Sequence, residues 1–396
     1  MPGALDGMTV LDLSILVQGP QAAAMLHDMG ADVIKIELPV AGDLGRWIMV
    51  SPEDTRSPLF EACNRGKRSV TLDLRQPGGK SALRKLVETA DVLIHNFVPG
   101  TMEEWELSYE ELAEINPALI YASGSSFGPL GPDAPREGAD TIGQAWGGLI
   151  STTGTDDGDP TPLGVLIADH TGCQNLTTGV LGALVHRERT GQGQRVEVSL
   201  FGGMIWAQAS ELNHALLSGE KLGRANRGHP MIKALLRMIP TSDGWIQMVG
   251  VPPPLWPGFA RAIDRPDLID DERFTTQFLT PENLSEICRL VDEIFPTRTT
   301  AEWCERLLAE GQRFAPVRDH LEVVADEGAV ANGYFVDVDH PDYGPIRTIG
   351  SPIRMSATPT IPGVVAPQLG QHTEEVLLEV GFTWEQLAEL QEQGAW

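Results

Sequence analysis

The sequence is poor in cysteine and in positive charge, and each shortage excludes a class of protein. Only four cysteines occur in 396 residues, Cys63, Cys173, Cys288 and Cys304, and their wide spacing offers neither a CxxC zinc site nor a disulfide framework. Lysine and arginine total 29 against 55 acidic residues, so a formal net charge of −26 opposes general binding to nucleic acid or anionic membranes. We therefore expect no metal site, no nucleic-acid partner and no membrane partner.

Long apolar runs are also missing. No stretch provides the roughly 18 consecutive apolar residues that a membrane-spanning helix needs, and residues 1–6 lack the basic and then apolar order of a signal peptide. These two absences predict a soluble, unsecreted protein, and the scattered cysteines fit the reducing cytosol, so we expect a cytoplasmic location. With 42% apolar and 21% charged residues, the chain has an ordinary globular composition, and its length suggests two globular units or one large and one small.

Short branched apolar segments alternate with helical patterns in the first third of the chain. The predicted helices cover residues 20–29 and 78–90, and the predicted strands cover 8–13, 32–37, 69–74, 91–96 and 118–123. This alternation predicts an α/β fold with a mostly parallel sheet. A buried helix at 171–190 and a strand at 195–199 follow, and an amphipathic helix at 383–392 should dock on the rest of the chain.

Three familiar catalytic or nucleotide-binding motifs fail in their context. Residues 124–128 match the G-x-S-x-G pattern of a nucleophile elbow, but the prolines at 129 and 132 break the helix that an elbow requires. Residues 78–81 end like a phosphate-binding loop, although Leu74 occupies the place of its first glycine. No G-x-G-x-x-G follows the first strand, so a dinucleotide cofactor is not expected.

Asp169 ends an apolar run immediately before the helical segment, and two interpretations fit that position. As an N-cap, its carboxylate would accept hydrogen bonds from the first-turn amides. As a nucleophile, it would be held ionised and accessible by the positive end of the helix. Spacing alone does not separate the two.

Eleven short segments, taken together and in order, resemble the class III coenzyme A transferases, also called the CaiB/BaiF family. The resemblance runs from about Leu5 to Leu390 and thus covers nearly the whole chain. The matching segments are residues 5–13, 19–20, 30–37, 42–43, 64–75, 90–92, 96–100, 116–117, 123–128, 190–194 and 367–373.

This resemblance implies a Rossmann-like large domain and a smaller α+β domain, in two chains that interlock as rings in a homodimer. The large domain would combine residues 1–205 with 325–396, a linker would cover 206–240, and the small domain would cover 241–324. Neither chain could then bury its core alone.

The implied activity moves CoA from an acyl-CoA to a free carboxylic acid through an aspartyl anhydride and an aspartyl-CoA thioester, with Asp169 as the nucleophile. No permanently bound cofactor is implied, because CoA thioesters are the substrates. Arg75 and Arg136 are the expected phosphate contacts. The positions that correspond to the family's CoA-binding segments are Val17, Gln18, Leu72, Asp73, Leu74, Arg75, Asn96, Phe97, Val98, Arg136, Glu137, Gly138, Ala139 and Asp140.

The sequence departs from the family pattern at several positions. Leu38 and Glu104 replace arginines that some members carry, so the contacts to the adenosine phosphates should be rearranged. A 2-methylacyl-CoA racemase of the same family would need a histidine where this chain has Ala139, beside Asp140. A non-catalytic CoA-binding subunit is the third interpretation, and the intact Asp169 opposes it. His170 either contacts substrate or acts as an acid, or it is a packed or capping structural residue.

Overall fold

The computed structural model describes residues 2–276, 278–361 and 364–396. Its strands are β1 (Thr9–Asp12), β2 (Asp32–Glu37), β3 (Arg68–Thr71), β4 (Val92–His95), β5 (Ile120–Ser125), β6 (Gln194–Ser199), β7 (Leu236–Pro240), β8 (Trp245–Val249), β9 (Phe314–Pro316), β10 (Phe335–His340) and β11 (Gly344–Ile349). Its helices are α1 (Gln18–Asp28), α2 (Pro58–Asn64), α3 (Pro77–Val87), α4 (Thr101–Glu104), α5 (Tyr109–Ile115), α6 (Asp140–Trp146), α7 (Leu149–Thr152), α8 (Ile167–Thr190), α9 (Leu200–Ala207), α10 (Ala209–Ser218), α11 (Trp256–Ala262), α12 (Pro281–Ile294), α13 (Thr300–Ala309), α14 (His320–Val324), α15 (Glu327–Ala331), α16 (Thr373–Glu379) and α17 (Trp384–Glu392). Within these ranges, no helix is long and apolar enough to cross a membrane.

The chain divides into two compact units. The first comprises Met1–Gly148, Gly164–Ala207 and Asp326–Trp396, and the second comprises Leu149–Leu163 and Gln208–Ala325. Residues 206–240, for which we expected a linker, contain helix α10 and strand β7, and most of them belong to the second unit. The segment 149–163, which we expected in the large domain, also belongs to the second unit. Gly, Arg and Pro in residues 219–240 made the short strand β7 difficult to recognise from the sequence.

The first unit is built on a six-stranded sheet with the order β3-β2-β1-β4-β5-β6. Every neighbouring pair in this sheet is parallel, with Leu11 opposite Ile34 on one side and Leu93 on the other. The predicted α/β fold with a parallel sheet is thereby confirmed. The order reverses between β1 and β4, and ligands of such sheets bind at this switch point, beyond the carboxyl ends of the strands.

Helices cover both faces of this sheet, which explains why its central strands are almost continuously apolar. On one face, Leu11 packs in a cluster with Leu83 of α3, Leu112 of α5 and Val376 of α16. On the other face, Val10 and its neighbours pack against α1 and α8 through residues such as Leu26, Ala183 and Leu176. Alternating residues of β1 thus anchor the two halves of the core.

The segment that follows the second unit returns to the first. The backbone N–H of Thr71 donates to Thr373 Oγ1 at 3.0 Å, His372 N donates to Ser69 O at 2.9 Å, and Asp73 N donates to Ala395 O at 2.8 Å. Helices α16 and α17 place Val376 and Leu387 in the same core as β3. The amphipathic helix predicted near 383–392 therefore docks on the first unit, where it packs beside α16 and the start of α3.

The second unit has its own small core. Its three strands form an antiparallel sheet in the order β7-β8-β9. Aromatic side chains of α11, α13 and neighbouring turns fill the space beside this sheet, with the rings of Phe295 and Trp303 stacked at 4.4 Å between centroids. This arrangement of three strands with flanking helices agrees with an α+β class for the unit.

Candidate active site

Asp169 lies in the first turn of α8, a helix of 24 residues. Leu166 occupies the N-cap position and makes no side-chain capping bond. Asp169 is therefore inside the helix, and the N-cap interpretation of this residue is wrong. Its side chain is half-buried at the positive end of the helix dipole.

Asp140, at the start of α6, caps the helix in its place. Its Oδ1 atom accepts hydrogen bonds from the backbone N–H of Ala168 at 2.7 Å and of Asp169 at 3.2 Å. Its Oδ2 atom accepts from Gln144 Nε2 at 2.6 Å, and the residue is only 3% exposed. Two orphan amides of α8 are thus satisfied from a different helix, and the carboxylate of Asp169 is not needed for that purpose.

The surroundings of Asp169 disfavour its charge. Burial raises the pKa of this carboxyl from 3.8 to about 7, and the nearby negative charge of Asp140 adds to the increase. A carboxylate whose conjugate acid has a pKa near 7 is a better nucleophile than one with an ordinary pKa near 4, because its electron pair is more basic. A perturbed group of this kind in a helix first turn has the signature of a reactive site.

The side-chain amide of Gln18 is enclosed between β5 and α8. A Cβ added to Gly124 would stand 2.2 Å from Gln18 Oε1, and one added to Gly172 would stand 2.6 Å from Gln18 Nε2, so both positions require glycine. Gln18 is 3% exposed, and among the described residues its Nε2 has no hydrogen-bond partner. A buried donor without a partner is costly, and this donor lies beside Gly172, one helical turn after Asp169.

His170 packs against α1. Its Nδ1 atom is 2.6 Å from Gln21 Oε1, so Nδ1 carries the proton that this amide oxygen accepts. Burial lowers the pKa of His170, although the charge of Asp140 opposes the change, and the neutral imidazole is therefore favoured. These contacts give His170 a structural role, and a contact with substrate stays a prediction.

At the switch point of the sheet, the loops after β1 and β4 are joined by one side chain. Asn96 Oδ1 accepts from Ile15 N at 2.8 Å, and Asn96 Nδ2 donates to Ile15 O at 2.8 Å. Val17 is buried where the first loop enters α1. Val98, on the second loop, lines a small cavity of about 50 Å³ with Ser123 and Arg195. The structure thus brings these predicted positions to the edge where ligands of such sheets bind.

A larger cavity of about 280 Å³ opens beyond the ends of β1, β2 and β3. Five of the predicted CoA-binding positions line it, together with Leu38, Asp43 and Trp105. Arg75 is 61% exposed and holds Asp73 through two bonds of 2.8 Å, so its guanidinium is already fixed at the mouth. The five predicted positions in the lining are Leu72, Asp73, Leu74, Arg75 and Phe97.

Lys35 and Asp43 line this cavity and belong to a buried charge network that the sequence did not predict. Lys35 Nζ lies 2.8 Å from Asp43 Oδ2 and 3.7 Å from Asp12 Oδ2, while Lys67 Nζ lies 2.6 Å from Asp12 Oδ2. Burial disfavours the charge of Lys35, but Asp12 and Asp43 outweigh it and hold its pKa above the usual value. The signal was present in Asp12 and Lys35, two charged residues inside predicted apolar strands.

The predicted segment 136–140 lies apart from the lining of the 280 Å³ cavity. Arg136 Nη1 donates to Asp133 Oδ1 at 2.6 Å, and its guanidinium stands 4.7 Å from the ring centre of Phe127 and 5.0 Å from that of Trp146. Glu137, Gly138 and Ala139 are exposed. The segment therefore ends at Asp140, beside the first turn of α8 that contains Asp169, and does not line the 280 Å³ cavity.

Comparison with known proteins agrees with this architecture. Residues 5–373 match the family model described as CoA-transferase family III. A formyl-CoA:oxalate CoA-transferase from Streptomyces coelicolor is 33% identical over 99% of this chain and 98% of its own length. A succinyl-CoA:mesaconate CoA-transferase from Haloarcula hispanica is 35% identical over 96% of this chain and 97% of its own length. The crystal structure of a CaiB/BaiF family protein from Brucella suis covers 96% of this chain with a TM-score of 0.84 and 33% identity.

These matches span almost the whole chain, and the parallel sheet is common to the solved relatives. The protein is accordingly an enzyme of the CoA-transferase class. The chain belongs to CoA-transferase family III, as the resemblance of its sequence segments indicated.

Proposed function

We propose that this enzyme moves CoA from an acyl-CoA thioester to a free carboxylic acid, with Asp169 as the covalent nucleophile. The observation that carries the proposal is the state of Asp169: a half-buried carboxyl in the first turn of α8, with a pKa raised to about 7 and its capping role taken by Asp140. Relatives that are named for succinyl-CoA and formyl-CoA transfer support the same reaction class.

The cycle would conserve the energy of the thioester. Asp169 attacks the thioester carbonyl, so that the C–S bond breaks and an acyl-aspartyl anhydride and a CoA thiolate form. The thiolate then attacks the aspartyl carbonyl, releases the first acid and leaves an aspartyl-CoA thioester. The carboxylate of the second acid attacks this thioester to form a second anhydride, and the returning thiolate takes the acyl group and frees Asp169.

Each attack develops a negative oxygen that needs a hydrogen-bond donor. The backbone amides of Ala168 and Asp169 already donate to Asp140, so they are poor candidates. Gln18 Nε2 is buried and unpartnered among the described residues, and it lies beside the turn that follows Asp169. We assign it as the donor to the developing oxyanion, where a fixed dipole in a water-poor site is most effective.

The CoA nucleotide is proposed to occupy the 280 Å³ cavity, with its pantetheine arm following the switch point toward α8. Apolar residues such as Leu72 and Phe97 offer surfaces for the adenine ring, and Arg75 at the mouth is available to a phosphate if it shares its bond with Asp73. The loop that contains Leu13 and Ser14 lines the cavity and leads directly into α1 and Gln18.

Two alternatives are less well supported. A racemase would need Asp140 or a neighbour as a free base, but both Asp140 oxygens accept hydrogen bonds and Ala139 offers no proton acceptor. A non-catalytic subunit would not need to retain an Asp169 with a raised pKa.

We also propose that the enzyme works as the interlocked homodimer implied by its family. Support comes from large apolar side chains exposed on the single chain, with Trp206 at 73%, Leu216 at 81% and Leu217 at 89% exposure. Such residues are ordinarily covered in a stable assembly. Light scattering after gel filtration should give twice the monomer mass, and a monomer mass at micromolar concentration would contradict this part of the proposal.

The test is covalent trapping on the full chain. Wild type, Asp169→Asn and the control Glu282→Gln, which changes an exposed first-turn carboxylate of α12, are incubated with succinyl-CoA or hexanoyl-CoA and then with hydroxylamine or borohydride. We expect mass spectrometry to find the trapped adduct on the Asp169 peptide of wild type and control alone. A modified Asp169→Asn protein, or α-proton exchange in deuterated buffer without any adduct, would overturn the proposal.

A further inference from the structure

The second unit contains a cavity of about 370 Å³ that none of the preceding functions uses. One wall is a single face of helix α12, where Leu284 and Cys288 are four residues apart and line the space, and Asp292 follows four residues later. The opposite walls come from the segment around residues 224–232 and from β7. Its size is in the range of small-molecule sites.

The framework of this cavity is fixed by hydrogen bonds. The backbone N–H of Ala225 donates to Thr152 O at 2.7 Å, and that of Asn226 donates to Gly154 O at 2.9 Å. The Asn226 side chain completes the link, because its Oδ1 accepts from Asp156 N at 2.9 Å and its Nδ2 donates to Asp156 Oδ2 at 3.0 Å. The cavity is thus preformed, which lowers the entropic cost of binding a ligand.

Three guanidinium groups line this space in a protein whose formal net charge is −26. Arg227 Nη1 is 3.3 Å from Asp292 Oδ1, and Arg237 Nη2 is 3.0 Å from Asp292 Oδ2, so two arginines share one carboxylate. Asp157 also lines the space, and the carboxylates of Asp156 and Glu211 contact the lining residues Asn226 and His229. Among the three arginines, Arg224 bonds to backbone carbonyls and, within the described residues, to no carboxylate, so it suits a negatively charged ligand.

Arg224 is the residue best prepared to receive that ligand. Its Nη1 atom donates to the carbonyl oxygens of Thr155, at 2.8 Å, and Gly158, which holds the guanidinium in place. Within the described part of the chain, its Nε and Nη2 have no protein acceptor. These two N–H groups lie on one edge of the planar guanidinium and suit the two oxygens of a carboxylate.

The apolar side chains of Ile232, Leu236 and Leu284 also line the cavity. We propose that this cavity is a binding site for an organic monocarboxylate, whose head group pairs with Arg224 and whose hydrocarbon body lies against these side chains. A single carboxylate suits the two N–H groups on the open edge of Arg224, and the apolar side chains favour a carbon chain over an inorganic oxyanion. The proposal does not depend on the reaction at Asp169.

The test uses hexanoate as the probe on the full-length protein, with saturation-transfer NMR to measure its affinity. Arg224→Gln should weaken binding about tenfold or more, because a charge-assisted pair is lost. The control is Arg289→Gln on α12, the helix that forms one wall of the cavity. Arg289 is 65% exposed, pairs with Glu293 and is not in the lining, so its replacement should leave the affinity unchanged. Arg227→Gln provides a second cavity variant in case Arg224→Gln folds poorly, and it should also weaken binding.

Two further arms separate the outcomes. Neutral hexanamide should not bind, and inorganic phosphate at equal ionic strength should not compete with hexanoate. In parallel, hexanoate should slow alkylation of Cys288 several-fold and leave Cys304, a half-buried cysteine of α13 outside the cavity lining, unaffected. Equal affinity in all variants, no selective protection of Cys288, or full competition by phosphate would overturn the monocarboxylate site. Covalent trapping at Asp169 is measured separately, so either proposal can fail alone.

Discussion

Replacing Asp169 with asparagine should make the folded protein more stable at alkaline pH than at acidic pH, relative to wild type. The carboxyl has a pKa of about 7 in the folded chain and 3.8 as its ordinary value. Its contribution to stability is therefore largest below pH 3.8 and is lost as the pH rises through about 7. Asparagine has nearly the same shape and no such loss.

The magnitude follows from the difference between these two pKa values. At about 1.4 kcal/mol per pH unit, ionising the buried carboxyl costs about 4 kcal/mol in full. About half of this cost is already present at pH 5.5, so the advantage of Asp169→Asn should grow by about 2 kcal/mol between pH 5.5 and pH 8.5. The helix dipole favours the ionised form by about 0.5 kcal/mol, and it reduces the full cost only slightly.

Urea unfolding at fixed chain concentration, at four pH values between 5.5 and 8.5, measures this difference in free energy of unfolding. Glu282→Gln is the matched control, because Glu282 is an exposed first-turn carboxylate of α12 and its replacement should give a difference from wild type that is flat with pH. If the difference in free energy of unfolding between Asp169→Asn and wild type does not change with pH, burial and Asp140 do not raise the pKa of this carboxyl to about 7.

Three more predictions concern the residues around the site. Asp140→Ala should lower the free energy of unfolding by about 1–2 kcal/mol because two α8 amides lose their acceptor. The pH profile of acyl trapping should also move to lower pH, because the negative charge that raises the pKa of Asp169 is removed. An unchanged profile would contradict this prediction. Leu72→Trp should fill part of the 280 Å³ cavity and raise KM for acyl-CoA about tenfold with little change in kcat, whereas an unchanged KM would place CoA elsewhere. Lys35→Met should destabilise the fold by about 3–5 kcal/mol in urea unfolding, since Asp12 and Asp43 would lose a buried partner, and a change below 1 kcal/mol would count against the network.

Much of the first unit was predictable because its signals are local. The strand predicted at 32–37 is observed at Asp32–Glu37, and the helix predicted at 20–29 is observed at Gln18–Asp28. Apolar runs bounded by Gly30 and by charged residues carry that information. The helix at 171–190 was predicted four residues late, since Asp169 was taken as a candidate cap and the true cap comes from another helix.

The candidate site was predictable only in part, because its main contacts join residues that are distant in sequence. Asp140 is 28 residues from the amide of Ala168 that it accepts from, and no local pattern signals such a cap. The two glycines that enclose Gln18 are likewise on β5 and α8. Family resemblance indicated both Asp169 and Asp140. That Asp140 caps α8 and leaves the carboxylate of Asp169 free of this role became visible only from the packing of α6 against α8.

The return of residues 370–395 to strand β3 has a consequence for how the protein is made. The partners of Ser69 and Thr71 are about 300 residues further along the chain, so β3 stays without a neighbour on one side during most of translation. During that period, the exposed edge strand and its apolar neighbours are open to wrong pairing. We therefore expect chaperones to bind the nascent first unit. Coexpression with chaperones should increase the soluble yield of this enzyme more than that of a domain formed from one continuous segment.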